Sequence, residues 1–435
     1  MPSQCYEQQY ETMEKTQLKK LQGERLKNLV ARVYKNVPFY REVLEKAKIT
    51  PGDINTIDDI KRLPFTVKDD FRDNYPYGLF ARPMKDIVRV HASSGTTGKP
   101  TVVGYTREDI ELWASTCART YSCGGGNNHD VVQVAYGYGL FTGGLGMHYG
   151  GEKLGATVIP MSSGNTKKQL QIMQDFGTTL ICCTPTYALQ LIEVAGEEGI
   201  DLPSLGLKAG FFGAEPWSDS MRKSLEEKMG LKALDIYGMS EITGPGVASE
   251  CLEHDGLHVF EDHFYPEIID PDTGEKLPGG EKGELVVTCL TKQALPLIRY
   301  RTGDITSLTQ EKCKCGRTLA RMQRVSGRTD DMLIIRGINV FPSQIESVLL
   351  EIEETEPHYK LIVDRQGNLD ELEIQVEINA DLFSDEIKVL ENIQKKIRQE
   401  IQNALNLRAK ITLVEPQTLE RSQGKTQRVI DKRNK

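Results

Sequence analysis

Residues 93–101 are rich in groups that could bind phosphate, because they read Ser-Ser-Gly-Thr-Thr-Gly-Lys-Pro-Thr. Glycine lets the backbone approach a ligand closely, hydroxyl and amide groups donate hydrogen bonds, and the ammonium of Lys99 adds a positive charge. Pro100 follows the lysine, so the stretch departs from the P-loop pattern, in which Ser or Thr follows Gly-Lys and a helix begins. The composition predicts a polyphosphate-binding loop, with a polar surface turn as the alternative.

Four cysteine and histidine residues could hold a metal ion. A Cys-x-Cys-Gly element is preceded along the chain by another cysteine and by a histidine, and three thiolates with one imidazole suit tetrahedral zinc. His254 and His263 compete for the histidine position, and the Cys-x-Cys spacing is tighter than the usual spacing in zinc sites. The pattern predicts a closed structural zinc site, with separate thiols as the alternative. The predicted ligands are Cys251, His258, Cys313 and Cys315.

The elements around the 93–101 loop follow an α/β pattern. Strand patterns precede and follow the loop, and from residue 87 to about 250 strand and helix patterns alternate. This alternation predicts α/β layers with a mostly parallel sheet. Ligands in such sheets bind at the carboxyl ends of strands. Three turns are predicted there, at residues 136–139, 213–216 and 237–241.

The second half of the chain divides into two further regions. Residues from about 258 to 326 form a β-rich subdomain in which 300–304 is predicted to be an acidic turn. A domain boundary is predicted near residues 327–331, which gives an N-terminal domain of residues 1–327 and a small α+β C-terminal domain of residues 328–435. The C-terminal domain has a helix pattern at 342–350 and a long amphipathic helix capped by Ser384.

Composition sets limits on partners and location. The chain has 435 residues, of which 39% are hydrophobic and 27% charged, as in ordinary globular proteins. Its net charge of −8 gives no general affinity for nucleic acid or anionic membranes. The start lacks a signal-peptide pattern, and no apolar run approaches the length of a membrane span. Nine cysteines, an odd number, argue against a disulfide framework and predict a cytoplasmic protein.

Five motifs in a fixed order carry a resemblance to a known family. The order resembles that of adenylate-forming acyl-CoA ligases and, more narrowly, that of the phenylacetate–CoA ligase family, over essentially the whole chain. The runs at 336–346 and 420–431 are similar to that narrower family. The motifs are Ser-Ser-Gly-Thr-Thr-Gly-Lys-Pro-Thr at 93–101, Tyr-Gly-Met-Ser-Glu at 237–241, Tyr-Arg-Thr-Gly-Asp at 300–304, Gly-Arg-Thr-Asp-Asp-Met at 327–332 and Gly-Lys at 424–425.

The resemblance implies a reaction in two steps. A carboxylate attacks the α-phosphate of ATP, with Mg²⁺ bound, to give an acyl-adenylate and pyrophosphate. The C-terminal domain then rotates, and the thiol of coenzyme A displaces AMP. The implied acid is an aryl acid, phenylacetate first, and a homodimer is compatible with the resemblance. Two alternatives stay open: an adenylating enzyme that uses an acceptor other than coenzyme A, and a nucleotide-binding regulator without catalysis.

The resemblance also implies roles for single residues. Lys425 matches the catalytic lysine of adenylation, although the tail around it is basic throughout. Glu241 matches the magnesium carboxylate, Asp330 the hinge, and Arg336 and Gly337 the path of the coenzyme A thiol. The implied phosphate-binding residues are Ser93, Ser94, Gly95, Thr96, Thr97, Gly98 and Lys99.

Two further sets follow from the same resemblance. Tyr237 is implied to stack on adenine, with a half-buried core aromatic as the alternative, and Asp304 is implied to bind the ribose hydroxyls. The implied nucleotide-binding residues are Gly213, Ala214, Glu215, Pro216, Asp235, Ile236, Tyr237, Gly238, Met239, Ser240, Asp304 and Arg328. The implied acid pocket comprises Tyr136, Phe141, Ala214, Ile236 and Pro245.

Overall fold

The computed structural model describes residues 5–93, 100–328, 333–336, 338–366, 369–379, 387–405, 407–421 and 428–433. The chain forms two compact units, called here the large unit and the small unit. The large unit is Met1–Cys183, Leu205–Ala214 and Lys232–Arg324, and the small unit is Thr184–Ser204, Glu215–Leu231 and Val325–Lys435. The small unit thus takes two segments from before the predicted boundary, and the limits 1–327 and 328–435 stay a prediction.

The helices lie mainly where the helical patterns predicted them. Within the described residues the α-helices are α1 Gln8–Glu11, α2 Lys15–Asn36, α3 Pro38–Lys46, α4 Lys68–Asp73, α5 Arg107–Cys123, α6 Gly143–Leu154, α7 Thr166–Phe176, α8 Pro185–Glu197, α9 Asp219–Met229, α10 Pro342–Leu350 and α11 Ile387–Leu405. Short 3₁₀ helices lie at Pro51–Asp53, Ile57–Arg62, Met84–Asp86 and Leu202–Leu205. The predicted cap of α11, Ser384, lies outside the described residues.

The strands are more numerous than the sequence patterns predicted. Within the described residues they are β1 Arg89–Ala92, β2 Val102–Tyr105, β3 Val131–Val134, β4 Thr157–Ile159, β5 Leu180–Cys183, β6 Ala209–Gly213, β7 Lys232–Met239, β8 Gly244–Glu250, β9 Leu257–Val259, β10 Phe264–Ile269, β11 Gly283–Cys289, β12 Tyr300–Thr306, β13 Leu308–Thr309, β14 Arg321–Met322, β15 Gly327–Arg328, β16 Leu333–Ile335, β17 Ile338–Val340, β18 Thr355–Gln366, β19 Leu369–Ile378, β20 Lys410–Val414 and β21 Val429–Asp431.

A nine-stranded sheet forms the centre of the large unit, in the order β13-β14-β9-β8-β7-β6-β5-β3-β4. The pairings from β4 to β7 are parallel, whereas those from β7 to β13 are antiparallel. Within residues 87 to about 250, the range of the prediction, this sheet is mostly parallel as predicted, and strands of the following β-rich region extend it by antiparallel pairing. The connections from β7 to β8, from β8 to β9 and from β13 to β14 contain no helix and are too short for the crossover that parallel pairing requires, so these pairs are antiparallel.

Two smaller β structures in the large unit bear on the site. β1 and β2 pair antiparallel, with Ala92 opposite Val102, so the 93–101 loop joins a hairpin. β10, β11 and β12 also pair antiparallel in that order. The predicted turn at 300–304 is wrong, because these residues belong to β12. Gly303 takes a positive φ of 76° within that strand, a conformation that favours glycine.

The small unit has its own sheet and core. Its four-stranded sheet has the order β20-β19-β18-β21, and β16 pairs with β17 in a separate hairpin. The apolar stripe of α11 is buried in this core at Ile393, Ile397, Ile401 and Leu405, as its spacing predicts.

Among the described residues, no helix combines the length and apolar character that a membrane crossing requires. None of the nine cysteines, all of which are described, forms a disulfide.

Candidate functional site

The carboxyl ends of β6 and β7 meet in the large unit. Gly213, the last residue of β6, lies opposite Ile236 in the parallel register. A Cβ atom on Gly213 would lie 2.4 Å from the carbonyl oxygen of Ile236, so only glycine fits there. Ala214 follows with a φ of 72°, which costs a non-glycine residue about 1–3 kcal/mol. Such strain concentrates at functional sites.

Tyr237 and Asp304 come from two different motifs and are bonded to each other. The Tyr237 hydroxyl donates to Oδ2 of Asp304 at 2.6 Å, and both residues are buried. The backbone N–H of Asp304 in turn donates to Oγ1 of Thr302 at 3.0 Å. The hydrogen bond from the Tyr237 hydroxyl therefore holds the Asp304 carboxylate close to the end of β7. The resemblance implied a separate role for each residue, and the contact between them was not predicted.

The end of β7 approaches the start of β8 very closely. A Cβ atom on Gly238 would lie 1.8 Å from the carbonyl oxygen of Gly244, so this position also requires glycine. The turn spans residues 240–243, between Met239, the last residue of β7, and Gly244, the first of β8. The hydroxyls of Ser240 and Thr142 lie 3.2 Å apart. The predicted magnesium carboxylate, Glu241, belongs to this turn.

The side chain of Glu241 is a buried carboxylate that could bind a cation. Glu241 is 6% exposed, and among the described residues its side chain has neither a hydrogen-bond partner nor an ion-pair partner. A buried carboxylate requires a positive or hydrogen-bonding partner to offset its desolvation. Mg²⁺ accepts one or two carboxylates together with substrate phosphates. The Glu241 side chain thus fits the role of a magnesium ligand.

A second carboxylate, that of Glu250, binds the backbone of the predicted nucleotide-binding residues in β7. The backbone N–H of Asp235 donates to Oε2 of Glu250 at 2.7 Å, and Nε of Arg324 lies 3.6 Å from Oδ2 of Asp235. Neither Glu250 nor Arg324 was singled out from the sequence, since no motif contains them.

Other predicted nucleotide-binding residues belong to the small unit. There Oε1 of Glu215 accepts a 2.8 Å hydrogen bond from the N–H of Thr186, Pro216 follows it along the chain, and Arg328 ends β15.

The predicted acid-pocket residues lie around the same strand ends of the large unit. The hydroxyl of Tyr136, which is buried, donates to the carbonyl of Phe211 in β6 at 3.3 Å. Phe141 is 43% exposed, and Pro245 lies opposite Gly238. The carbonyl of Pro245 accepts a 2.8 Å hydrogen bond from Nε1 of Trp113, which sequence reasoning missed.

The predicted metal ligands form one buried cluster in the large unit. One ligand atom from each of Cys251, His258, Cys313 and Cys315 lies within 4.8 Å of the others. Sγ of Cys315 lies 3.4 Å from Nε2 of His258, and Sγ of Cys251 lies 3.8 Å from Sγ of Cys313. A hydrogen bond from the Cys251 thiol, with a further one from His258, holds the pKa of Cys315 well below its usual value. The same bond raises the pKa of Cys251.

The two competing histidines have other partners. Nδ1 of His254 lies 3.8 Å from a carboxylate oxygen of Glu250. His263 contacts Oγ1 of Thr291 at 2.8 Å and Oδ2 of Asp262 at 3.1 Å. The structure therefore brings His258, and neither of these two, into the cysteine cluster.

Several predicted site residues lie outside the described residues. They are Ser94, Gly95, Thr96, Thr97, Gly98, Lys99, Asp330, Gly337 and Lys425. Ser93 is described, and its N–H donates to the carbonyl of Thr101 at 3.0 Å across the hairpin. Arg336 is exposed, and its Nε donates to the carbonyl of Asp370 at 2.8 Å.

The residues on either side of the Lys425 segment are anchored within the small unit. Arg421 makes a two-pronged ion pair with the buried Glu377, at 2.8 and 2.9 Å, and a 3.0 Å contact with Glu193. Arg428 is ion-paired with the buried Glu346. Its other partners are the hydroxyls of Tyr359 at 2.8 Å and Thr186 at 2.9 Å. Both ends of the segment that carries Lys425 are therefore tied to buried carboxylates.

Comparison with known proteins decides the family. Residues 17–289 match the AMP-binding enzyme family, and residues 337–433 match the AMP-binding enzyme C-terminal domain. A phenylacetate-coenzyme A ligase of Thermus thermophilus is 49% identical over 98% of this chain and 99% of its own. The chain belongs to the phenylacetate–coenzyme A ligase family. The Escherichia coli phenylacetate-coenzyme A ligase is 50% identical over 98% of this chain and 97% of its own.

A solved structure of this superfamily supports the same assignment. A 2-hydroxyisobutyryl-CoA ligase, in the postadenylation state with an acyl-AMP, superposes with a TM-score of 0.92 at 30% identity and covers 98% of this chain and 92% of its own. The predicted family and the predicted fold class, a large α/β domain with a β-rich subdomain and a smaller α+β domain, are confirmed. As a member of this family, the chain is an AMP-forming ligase that joins an acid to a thiol.

Proposed function

We propose that this protein joins phenylacetate, or a closely related aryl acid, to coenzyme A through an acyl-adenylate, with release of pyrophosphate and AMP. The observation that carries this proposal is the 49–50% identity to phenylacetate-coenzyme A ligases over nearly the whole of both chains. The paired Tyr237 and Asp304 would contact the nucleoside of ATP, and the Glu241 carboxylate would bind its Mg²⁺.

In the first step, the carboxylate oxygen of the acid attacks the α-phosphorus of ATP, and the bond from that phosphorus to the pyrophosphate oxygen breaks. Asp304, fixed by Tyr237, would accept hydrogen bonds from the ribose hydroxyls. Glu241 would hold Mg²⁺, which when bound neutralises charge on the phosphates. Lys425 would offset the charge that develops at the α-phosphate.

In the second step, the sulfur of coenzyme A attacks the acyl carbon and AMP leaves. The thiol proton must be lost as the carbon–sulfur bond forms. The buried aromatic ring of Tyr136 would bound the acid at the strand ends, while the 43% exposed ring of Phe141 would close its outer side. Arg336, which is exposed, would lie along the path of the thiol.

The test measures AMP and thioester together. With ATP, Mg²⁺ and phenylacetate, we expect AMP to form rapidly only when coenzyme A is present, with one phenylacetyl-CoA for each AMP. Benzoate and indoleacetate serve as matched acids of different size. AMP formation that ignores coenzyme A, without a thioester, would show that the acceptor is a different group.

We also propose that Cys251, His258, Cys313 and Cys315 bind one structural zinc ion. The proposal is supported by their burial, by a separation of no more than 4.8 Å and by a donor set of three thiols and one imidazole. All four positions would be protein ligands, which is typical of a closed structural site rather than a catalytic one. The ion would tie β9 and the loop that follows β8 to the segment before β14.

The zinc proposal is tested by metal analysis of protein purified without added zinc. We expect about one equivalent in the wild type and a loss of that metal in Cys313→Ser. Cys289→Ser is the matched control, because Cys289 is equally buried but lies outside the cluster. Less than half an equivalent in the wild type would refute the site.

A cytoplasmic location and a homodimer stay predictions of the sequence.

A further inference from the structure

A buried lysine outside every predicted site binds the turn that carries Glu241. Lys292 is 2% exposed, and its ammonium donates to the carbonyl oxygens of Ile242 at 2.7 Å and Glu241 at 3.3 Å. Among the described residues, no carboxylate comes within ion-pair distance of it. A buried charge is costly unless it is hydrogen-bonded or paired. The ammonium therefore depends on the carbonyls of this turn.

Two aromatic residues extend the same arrangement along the turn. The ammonium of Lys292 lies 4.6 Å from the ring centre of Tyr105, a favourable cation–π distance. The Tyr105 hydroxyl donates to the carbonyl of Thr243 at 3.0 Å. Trp113 stacks on Tyr105 at 5.0 Å and donates to the carbonyl of Pro245 at 2.8 Å. Side-chain donors thus hold the carbonyls of residues 241, 242, 243 and 245.

The backbone at and after Lys292 is anchored by residues of α2 and α5. The two carboxylate oxygens of Asp109, a buried residue of α5, accept the N–H groups of Gln293 at 2.6 Å and Ala294 at 2.9 Å. Arg32 of α2 donates to the carbonyl of Lys292 at 2.9 Å. These hydrogen bonds anchor the backbone at residues 292–294 to α2 and α5. The Lys292 ammonium therefore extends from an anchored segment to the carbonyls of the Glu241 turn.

Charge connects this lysine with Glu241. Burial lowers the pKa of Lys292, while the carboxylates of Asp109 and Glu241 act in the opposite direction. The Glu241 carboxylate is therefore close enough to interact with the ammonium, although its oxygens make no direct contact with it. Such an arrangement offsets a buried carboxylate and leaves its oxygens available to a cation.

We propose that Lys292 is a positioning residue for adenylation: its buried ammonium holds the carbonyl groups of Glu241 and Ile242 and so fixes the turn that presents the Glu241 carboxylate to Mg²⁺. The inference rests on the proposed function, because it takes Glu241 as the magnesium ligand. Residues that orient a metal ligand typically change metal affinity by about 10–100-fold when they are removed.

The test is calorimetric titration of ATP at a series of Mg²⁺ concentrations, which needs neither the acid nor turnover. We expect Lys292→Met to raise the half-saturating Mg²⁺ concentration by about tenfold. Tyr105→Phe, which keeps the ring but loses the bond to Thr243, should shift it in the same direction by less. Lys282→Met is the matched control, since Lys282 is exposed in the same β-rich region, and it should change nothing.

A double-variant cycle separates positioning from general stability. If Lys292 acts through the Glu241 turn, Lys292→Met should have no further effect on Mg²⁺ dependence in a Glu241→Gln background. If Lys292→Met does not fold, Lys292→Gln and Tyr105→Phe provide the same comparison. A lower melting temperature with an unchanged Mg²⁺ requirement, or effects that multiply in the double variant, would overturn the inference.

The two proposals can fail separately. If the wild type makes no thioester, but Lys292→Met raises the Mg²⁺ requirement for ATP binding, the proposed function is refuted and the positioning role is supported. If the wild type makes phenylacetyl-CoA, and Lys292→Met leaves the Mg²⁺ requirement unchanged, the positioning role is refuted and the proposed function is supported.

Discussion

At the scale of single residues, the proposed binding of the ribose by Asp304 depends on the hydrogen bond from Tyr237. Removal of the Tyr237 hydroxyl would leave the buried Asp304 carboxylate without its 2.6 Å donor. A hydrogen bond to a charged group contributes about 1.5–3 kcal/mol. We therefore expect Tyr237→Phe to raise the KM for ATP about tenfold while the KM for the acid stays the same, as measured by pyrophosphate release.

Tyr40→Phe is the control for that prediction. Tyr40 is also buried, and its hydroxyl contacts Oγ1 of Thr66 at 2.9 Å and the N–H of Ile298 at 3.3 Å, neither of which is a predicted nucleotide-binding residue. This variant should lose stability without a change in the KM for ATP. Equal changes of that KM in both variants would contradict a specific role for the Tyr237–Asp304 pair.

Lys425 carries the strongest prediction that comes from sequence alone. Its ammonium is expected at the α-phosphate only during adenylation, so Lys425→Ala should lower the rate of pyrophosphate release by at least about 100-fold. Thioester formation from supplied phenylacetyl-adenylate should be retained. Lys432→Ala tests the alternative of a merely basic tail and should leave both rates near wild type. Equal loss of both half-reactions in Lys425→Ala would refute the division of roles.

Site residues were predicted from the sequence where a motif contains them or where cysteines and a histidine form a pattern typical of a metal site. Asp304, Tyr237 and Glu241 stand in short motifs whose order is specific, and Cys313 and Cys315 stand two apart in the chain. Lys292 lies 51 residues from Glu241 in no motif, and its chemistry becomes visible only through its burial and its bonds to main-chain carbonyls. From sequence alone, a lysine in a strand-rich region is predicted to be solvent-exposed, because buried lysines are rare.

At the scale of elements, two arginines anchor the ends of the segment that carries Lys425. Arg428→Met should do two separate things. It should leave the buried carboxylate of Glu346 without its cation, which costs about 3–5 kcal/mol of stability. It should also lower the rate of pyrophosphate release about 10–100-fold, because the chain that follows Lys425 loses its anchor at Arg428.

The second variant Glu346→Gln separates these two effects. In combination with Arg428→Met it removes the unpaired buried charge, so thermal unfolding should return toward wild type while the rate of pyrophosphate release stays low. Arg433→Met is the matched control on the same tail, since Arg433 pairs with Asp370 and Asp431 instead. Recovery of the rate together with stability would mean that Arg428 acts only through folding.

Elements with a regular period were predicted closely, and those that depend on distant partners were not. The helix predicted at 342–350 coincides with α10, because helical spacing and flanking turn residues are local signals. Residues 300–304 contain glycine and two charged residues, which favours a turn in isolation. In the fold they pair with β11, and Arg301 binds Glu284 of that strand, so tertiary pairing overrides the local preference.

At the scale of the whole molecule, burial of Glu261 makes stability depend on pH. Glu261 is 6% exposed and lies between β9 and β10, where its Oε2 accepts the N–H of Ala320 at 2.6 Å. Desolvation raises the pKa of its carboxyl from 4.5 to about 7. The folded state thus keeps the proton over a pH range in which the unfolded chain has already lost it.

The sign of the effect follows from this raised pKa. Below about pH 4.5 the carboxyl is protonated in both states, and its contribution to stability is fully present. That contribution is lost as the pH rises through about 7, and the loss amounts to about 3 kcal/mol. Glu261→Gln, which cannot ionise and can still accept the Ala320 N–H, should therefore unfold with a higher free energy than wild type at about pH 8 and an equal one at about pH 4. Denaturant unfolding at both pH values measures this, with the exposed Glu253→Gln as control. The same difference at both pH values would mean that the substitution acts through packing, because only a titrating group changes its contribution between them.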